Sequence, residues 1–179
     1  MLNKDTTVLV IIDVQERLAN VMSQKENLIA NLKKLIKGMK VFQIPIIVTE
    51  QFPKGLGPTV SEISELLTDI KPLPKLSFDC CDDEAFMREL KSLKRKQILV
   101  SGIESHICVY QTVSSLVNLG YEVHVITDTI SSRTVENRNI SFNLMNSIGA
   151  TLTSTETVLF EILRKAEGEQ FRIISSIVK

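Results

Sequence analysis

Short apolar runs, often rich in β-branched residues, recur along the chain and alternate with segments whose apolar residues follow helical spacing. Runs of this kind, bounded by polar or turn-forming residues, indicate buried strands. They predict strands over residues 6–12, 45–49, 98–100, 121–127 and 151–153, and an extended segment over residues 72–78. Helical spacing predicts helices over residues 20–42, 59–67, 82–93, 107–117, 134–148, 156–165 and 171–178.

Strands that alternate with helices form a parallel sheet, because each helix carries the chain back to begin the next strand in the same direction. No linker, repeat or low-complexity segment interrupts the alternation. Residues 1–179 are therefore predicted to form a single α/β domain, three-layered (α/β/α) and Rossmann-like. Asp13 directly follows the first strand, at the sheet edge where such folds bind ligands. Thr59 and Glu62 match a helix capping box.

The composition narrows the class of protein. The 179 residues include 21 basic and 21 acidic side chains, so the formal net charge is zero, which argues against a nucleic-acid partner. No apolar run approaches the ~20 residues that span a bilayer, and the N-terminus lacks the features of a signal peptide. Cys80 and Cys81 are adjacent and Cys108 is alone, which is not a disulfide framework. These features predict a cytoplasmic protein with no membrane partner.

Motifs for metals and nucleotide cofactors are missing. His106 and His124 are the only histidines, and neither belongs to a zinc-binding pattern. No glycine-rich phosphate loop follows the first strand, where Asp13 stands instead. We therefore predict no metal site and no cofactor.

The segment around Cys108 gives the strongest chemical signal. Ser101 and Gly102 break a predicted strand, and helical spacing begins at Ile107, so Cys108 falls in or just before the first turn of a helix. Unpaired N–H groups and the helix dipole at that place lower the pKa of a thiol. Cys108 is thus a candidate nucleophile, more acidic than a free cysteine. The alternative is that Cys108 is a small buried apolar side chain.

A thiol nucleophile needs a base and a charge partner. His106 precedes Cys108 by two positions and does not face it from the same helix, while His124 lies inside a strand pattern, where it packs or hydrogen-bonds. Asp13 and Lys75 remain, the first at a strand end and the second in a Pro-flanked extended segment. Each is explained equally well in isolation, Asp13 as a turn cap and Lys75 as a surface charge.

Asp13, Lys75 and Cys108, in this order and in these contexts, resemble the isochorismatase-like cysteine hydrolase superfamily. The pieces that match are Val8-Leu-Val-Ile-Ile-Asp13-Val-Gln-Glu-Arg-Leu18, Pro74-Lys75-Leu-Ser-Phe78, Ser101-Gly-Ile-Glu-Ser-His-Ile-Cys108-Val and Ser154-Thr-Glu-Thr-Val-Leu-Phe-Glu161. The last of these, with Thr49-Glu-Gln-Phe-Pro-Lys-Gly-Leu-Gly57, is similar to the isochorismatase domain-containing and YcaC-related branch. The resemblance covers nearly the whole chain and implies a parallel sheet of about six strands with helices on both faces.

The resemblance also implies a role for each residue. Asp13 takes the proton of Cys108, and Lys75 holds the thiolate and the carboxylate in register. A cis peptide bond between Ile103 and Glu104 points the backbone N–H groups of Glu104 and Cys108 at one oxyanion site. The residues expected around the substrate are Gln15, Gln51, Phe52 and Phe78.

The implied reaction is hydrolysis of a small amide, ureide or carbamoyl-type C–N bond through a thioester. The stretch Thr49-Glu-Gln-Phe-Pro53 lacks the Asp-x-His metal motif of nicotinamidases, which argues against nicotinamide as the substrate. True isochorismatases lack a cysteine nucleophile, so Cys108 argues against vinyl-ether hydrolysis. Two alternatives stay open. One is thioester or ester hydrolysis by the same three residues, and the other is an oligomeric interaction protein without turnover.

Three further expectations concern assembly and single substitutions. Phe171, Ile174 and Val178 share a face of the last predicted helix, which suits either self-association or docking on its own domain. Relatives commonly form oligomers, so the resemblance implies a homo-oligomer. We expect Asp13→Asn to damage catalysis more than stability, and Lys75→Met to raise the Cys108 pKa while the fold survives.

Overall fold

A six-stranded sheet, with all neighbouring strands parallel, forms the centre of the computed structural model, which describes residues Met1–Lys179. The strands are β1 (Thr7–Ile12), β2 (Ile46–Gln51), β3 (Leu73–Lys75), β4 (Gln97–Ile103), β5 (Glu122–Ser131) and β6 (Thr151–Thr153). The helices are α1 (Glu16–Ala19), α2 (Lys25–Val41), α3 (Pro53–Leu56), α4 (Ser61–Ser64), α5 (Glu84–Ser92), α6 (Tyr110–Asn118), α7 (Val135–Ser147), α8 (Thr155–Leu163) and α9 (Gly168–Val178). The predicted α/β fold with a parallel sheet is confirmed.

Helices cover both faces of the sheet, so the central strands are apolar throughout rather than alternating. All six residues of β1 are buried. Leu9 and Ile11 belong to a core that includes side chains of α2, α8 and α9, whereas Val8, Val10 and Ile12 belong to a second core with α5, α6 and α7. Burying one such side chain contributes about 1.5–3 kcal/mol, which ties the sheet firmly to both helical layers.

The order of the strands fixes where a site can form. The sheet runs β3-β2-β1-β4-β5-β6, so the chain proceeds outward from β1 in one direction and outward from β4 in the other. Helices that leave β1 and β4 therefore diverge and open a crevice at the carboxyl ends of these two strands. Asp13 directly follows β1, and the segment with Cys108 directly follows β4.

Two predicted local features differ from the structure. The capping box over Thr59 and Glu62 is wrong, because the backbone N–H and hydroxyl of Thr59 both donate to Glu50 Oε1 (2.7 and 2.8 Å), and Val60 holds the N-cap position of α4. Strand β5 continues four residues beyond Thr127, after a shift in its register with β4. Asp128 therefore lies within the strand, where its Oδ1 accepts hydrogen bonds from the backbone N–H and hydroxyl of Thr155 at the start of α8.

The last helix, α9, docks on its own domain. Ile174 is fully buried, and Ile177 and Val178 pack against the core beneath α2. Lys34 Nζ donates to the carbonyl oxygen of Val178 at 2.8 Å, which anchors the end of the helix. Of the two roles expected for this face, docking on its own domain holds for Ile174, whereas Ile173 is 39% exposed.

Candidate active site

Asp13 lies at the carboxyl end of β1 and is completely buried. Its backbone adopts the left-handed conformation (φ 55°), which is unusual for a residue with a side chain. The Oδ1 atom accepts a hydrogen bond from the Thr49 hydroxyl at 2.8 Å, and the Asp13 N–H donates to the Thr49 carbonyl at 3.2 Å. Strand pairing between Ile12 and Thr49 brings these groups together. The carboxylate is thus fixed in a site that water does not reach.

Lys75 ends β3, and its side chain is 1% exposed. Its Nζ lies 2.7 Å from Asp13 Oδ2 and 2.7 Å from Gln51 Oε1, and it also donates to the carbonyl oxygens of Ser77 (3.1 Å) and Phe78 (3.3 Å). Burial alone lowers the pKa of Lys75, but the charge of Asp13 and the nearby thiols outweigh it and hold the pKa above its usual value. The ammonium group therefore stays charged and fully coordinated beside the carboxylate.

Cys108 lies in a π-helical segment, Ser105–Val109, that joins β4 to α6, and it is 4% exposed. Burial raises the pKa of its thiol, and the neighbouring Asp13 carboxylate raises it further, whereas Lys75 opposes the change. The expected acidic thiol is therefore wrong for the resting protein. The prediction from sequence included the helix N-terminus, which lowers the pKa of a thiol. It left out desolvation, which raises the pKa and depends on how the layers of the fold pack around the sulfur.

A second thiol, Cys80, lies in the same buried region and was not identified from the sequence. Its Sγ is 3.9 Å from the Thr49 hydroxyl that also binds Asp13, and its backbone N–H donates to Thr112 Oγ1 at 3.0 Å. Burial raises the pKa of Cys80 to about 12, while Lys75 opposes the shift. The one available signal was that Cys80 closely follows Lys75 in the chain. For Thr49 the signal was its position near the carboxyl end of predicted strand 45–49, although its contact with Asp13 is visible only in the structure.

The turn between β4 and Cys108 contains no cis peptide bond, so the expected cis bond between Ile103 and Glu104 is wrong for this structure. Glu104 turns the chain instead by adopting the left-handed conformation (φ 57°, ψ 60°). A non-proline cis bond costs ~3–4 kcal/mol, whereas the left-handed turn needs only rotation about single bonds. Gly102 assists the turn, because a Cβ there would lie 2.3 Å from the Ile12 carbonyl oxygen.

The backbone of Glu104 offers a free donor. Its carbonyl accepts hydrogen bonds from the N–H groups of Ile107 (2.9 Å) and Val109 (3.5 Å), but its own N–H donates to no other group of the chain. A free N–H on a fixed turn next to a thiol is suited to binding a developing oxyanion.

The four residues expected around a substrate divide into two pairs. Gln15 Oε1 accepts a hydrogen bond from the Gln51 N–H, and Gln15 Nε2 donates to the carbonyls of Gln51 and Gly57. The amide group of Gln15 is therefore fully hydrogen-bonded within the protein. Gln51 is similarly engaged, with Lys75 and with the carbonyl of Leu76. Gln15 is fully buried and Gln51 is half-buried, so both glutamines help to build the site.

Phe52 and Phe78, in contrast, are 49% and 55% exposed. Phe52 and Leu76 line a cleft of about 600 Å³ whose wall also includes Lys75. Asp13 and Cys108 are not on the wall of this cleft. Lys75 is therefore the residue that lines this cleft and also binds the buried Asp13 carboxylate.

Both histidines contact neighbouring polar side chains. His124 pairs with Glu122 (3.0 Å), as expected for a strand position. His106 Nδ1 lies 2.6 Å from Ser132 Oγ and 3.7 Å from Glu104 Oε2. No three His, Cys, Asp or Glu side chains are grouped in an arrangement that holds a metal ion.

The chain matches curated proteins over almost its full length. It is 34% identical to the secreted isochorismatase effector Isc1 of Phytophthora sojae, over 97% of this chain and 85% of that protein. It is also 34% identical to isochorismatase domain-containing protein 2 of Danio rerio, over 96% of this chain and 86% of that protein. No helix of the structure combines the length and apolar character needed to cross a membrane.

Solved structures share the fold. The MAR1 ribonuclease of Caenorhabditis elegans superposes with a TM-score of 0.93 at 32% identity, covering 99% of this chain and 91% of that one. YcaC of Escherichia coli, an octameric hydrolase of unknown specificity, superposes with a TM-score of 0.93 at 23% identity, covering 98% and 89%. The model of the isochorismatase domain matches residues 7–157. With these matches over the fold and site described above, the chain belongs to the isochorismatase family.

Proposed function

We propose that the protein is a cysteine-dependent hydrolase that cleaves a small amide, ureide or carbamoyl-type C–N bond through a thioester intermediate. One observation carries the proposal. The buried Asp13 carboxylate is held by Lys75 and Thr49 (2.7 and 2.8 Å), at the same edge of the sheet as Cys108, and its charge adds to the burial that raises the pKa of the Cys108 thiol. A purely structural cysteine has no need of a buried ion pair next to it, since burying charges is costly.

In the first half of the reaction, sulfur attacks the carbonyl carbon while Asp13 accepts the thiol proton. Because the thiol pKa is raised, the resting site holds a neutral thiol near the Asp13–Lys75 salt bridge, and the proton moves during the attack. The N–H groups of Glu104 and Cys108 stabilise the tetrahedral oxyanion. Lys75 keeps the carboxylate in position and offsets the negative charge that enters the site.

In the second half, the protonated Asp13 gives its proton to the leaving nitrogen, and ammonia or an amine departs. Asp13 then accepts a proton from the water that attacks the thioester carbonyl. Collapse of the second tetrahedral intermediate breaks the C–S bond, and the proton returns to sulfur. The cycle is balanced and requires no other reactant than water.

The surroundings favour a small substrate with an apolar part. The polar atoms of Gln15 are engaged inside the protein, and those of the half-buried Gln51 already bind Lys75 and the Leu76 carbonyl. Exposed Phe52, Leu76 and Phe78 offer apolar contacts next to Lys75. Thioesters and esters suit the same machinery, since the nucleophile and the oxyanion donors do not depend on the leaving group.

A substrate panel with acyl-enzyme trapping tests the proposal. The panel contains amides, ureas and carbamates, with thioesters, esters and single-stranded RNA for comparison. We expect a mass increase on Cys108 from at least one C–N substrate in acid-quenched samples, and no turnover by Cys108→Ala. Adducts from thioesters or esters alone would favour the alternative hydrolase, and RNA cleavage that survives Cys108→Ala would refute a thiol mechanism. A complete lack of adducts and turnover would favour an interaction protein.

We also propose a homo-oligomer that associates through α7. Ile140 and Leu144 lie four residues apart on α7 and are 55% and 41% exposed. Side chains at this spacing share one helix face, and such an apolar face suits a second copy of the chain. The octameric assembly of YcaC supports the idea. The three free cysteines suit a reducing cytoplasm, which stays a prediction.

A further inference from the structure

A second polar network, separate from Asp13 and Lys75, lies beside the turn that carries Cys108. It consists of Glu104, His106, Ser132 and Arg133. Glu104 Oε1 is 3.0 Å from Arg133 Nε, and Glu104 Oε2 is 3.5 Å from Ser132 Oγ. Ser132 Oγ is in turn 2.6 Å from His106 Nδ1. None of these side chains takes part in the mechanism proposed above.

The network joins two separate parts of the chain. Glu104 and His106 belong to the turn and the π-helical segment, whereas Ser132 and Arg133 are the two residues that follow β5. One arrangement of protons satisfies the chain of contacts, with His106 Nδ1–H donating to Ser132 Oγ and the Ser132 hydroxyl donating to Glu104 Oε2. Ser132 is itself held in place, because its carbonyl accepts the N–H of Ser23 at 2.9 Å.

The side chain of Glu104 is 8% exposed, although its backbone adopts the left-handed conformation. That conformation persists only where surrounding contacts fix it. The backbone N–H on the same residue is free and is the donor assigned to the oxyanion. Any rotation of Glu104 would therefore turn this donor away from the carbonyl oxygen of a substrate.

We propose that Arg133, with Ser132 and His106, is a positioning residue that holds Glu104 so that its backbone N–H faces the reacting carbonyl. The inference rests on the proposed function, because it assigns the network to the oxyanion site of that reaction. In this proposal the charge of Arg133 fixes the orientation of Glu104 and contributes little to the stability of the fold. Arg133 is 55% exposed, and an ion pair with so exposed a partner adds little to folding.

The test compares two reagents that make different demands on the site. Benzaldehyde adds to the thiol, with the sulfur bonding to the carbonyl carbon and the thiol proton passing to the oxygen, so its hemithioacetal places an oxygen in the oxyanion site. Iodoacetamide displaces iodide and needs no such site. The measurements are the benzaldehyde concentration that half-protects Cys108 from iodoacetamide and the alkylation rate without aldehyde. Hydrogen exchange of residues 104–109 and the melting temperature complete the set.

The variants are Arg133→Met, Arg133→Lys and the matched control Arg88→Met, at an exposed position of α5 that makes no ion pair or hydrogen bond through its side chain. We expect Arg133→Met to raise the half-protecting concentration at least about tenfold, because a misplaced oxyanion donor is costly. Hydrogen exchange of residues 104–109 should quicken, while the alkylation rate changes less than about twofold. Arg133→Lys should fall between Arg133→Met and the wild type, and Arg88→Met should match the wild type.

Unchanged protection and unchanged exchange in Arg133→Met would overturn the positioning role, whatever happens to the melting temperature. An equal loss of protection and of alkylation rate would also overturn it, because the network would then act on the thiol or on the fold. If benzaldehyde fails to protect Cys108 even in the wild type, the proposed function is what fails. Hydrogen exchange then decides alone, with faster exchange supporting the positioning of the turn and unchanged exchange refuting it.

Discussion

Asp13 and Glu104 occupy equivalent places at the ends of two neighbouring strands, yet their surroundings differ. Each carboxylate directly follows its strand, β1 or β4, and each residue adopts the left-handed conformation (φ 55° and 57°). Each also pairs with one cation. The partner of Asp13 is Lys75, which is 1% exposed, whereas the partner of Glu104 is Arg133, which is 55% exposed.

The difference shows what separates a chemical role from a positioning role. When water cannot replace a lost partner, removing one charge leaves the other buried and unpaired, at a cost of about 3–5 kcal/mol. When the partner reaches solvent, water replaces most of the interaction and the cost is below about 1 kcal/mol. The buried Asp13–Lys75 pair is therefore suited to the proposed role of Asp13 as proton acceptor. The Glu104 pair only fixes the direction of a backbone group.

Replacing each carboxylate by its neutral isostere should give the largest contrast. Asp13→Asn removes the proposed base, so we expect turnover to fall by about 10²–10⁴ and unfolding free energy to fall by roughly 3–5 kcal/mol as Lys75 loses its counter-charge. The stability loss departs from the expectation drawn from sequence alone. Because Asp13 raises the Cys108 pKa, the pH midpoint of iodoacetamide alkylation should move down. Glu104→Gln is the matched comparison, and an equal stability loss in both variants would remove the contrast.

Replacing each cation by Met tests the same contrast from the other side. Lys75→Met should destabilise the protein by about 3–5 kcal/mol, since Asp13 stays buried without a partner, and Arg133→Met by less than about 1 kcal/mol. Lys75→Met should also raise the alkylation midpoint of Cys108, because Lys75 lowers that pKa. Urea unfolding at pH 7 measures both variants. The double variant Asp13→Asn, Lys75→Met should lose less than the sum of the single losses, and simple additivity would show that the two groups are not coupled.

Alkaline pH should weaken the buried region selectively. The pKa of Cys80 rises from 9.0 to about 12 on folding, so its contribution is complete below pH 9 and is lost as the pH rises toward 12. The expected loss is on the order of 1 kcal/mol by pH 10, and the raised pKa values of Cys108 and Lys75 act in the same direction. Urea midpoints between pH 7.5 and 10.5 test this. Cys80→Ala should show a shallower decline, and parallel curves for variant and wild type would contradict the assignment.

The smallest effect on stability should come from the surface near Arg133. Ile140→Glu on α7 changes an exposed side chain, so unfolding free energy should shift by less than about 0.5 kcal/mol. If copies of the chain associate through α7, the same change should convert the oligomer to monomer in light scattering. Association there would also cover the surface near Arg133, which lies two residues before α7. A wild-type protein that is monomeric at micromolar concentration would rule out this interface.

Local position made Asp13, Lys75 and Cys108 candidates, and the resemblance to isochorismatase-like hydrolases singled them out as a set. The structure brings all three to one edge of the sheet. Thr49 and Ser132 were missed, because nothing in the local sequence of either residue shows which distant side chain it contacts. The acidity of Cys108 was predicted in the wrong direction for a similar reason. The helix end is visible in the sequence, whereas the burial of the sulfur is not.

The sequence by itself determined the alternation of strands and helices. A strand buried on both faces is a continuous apolar run, and a helix shows apolar residues at helical spacing, so both can be read locally. The sequence therefore also determined that Asp13 and Cys108 lie at carboxyl ends of strands. Only the tertiary structure decided which charges meet, how far water is excluded and how Glu104 turns the chain. Charge pairing and desolvation depend on residues that are far apart in the sequence, such as Asp13 and Lys75. Their charged atoms come within 2.7 Å of each other only once the sheet has formed.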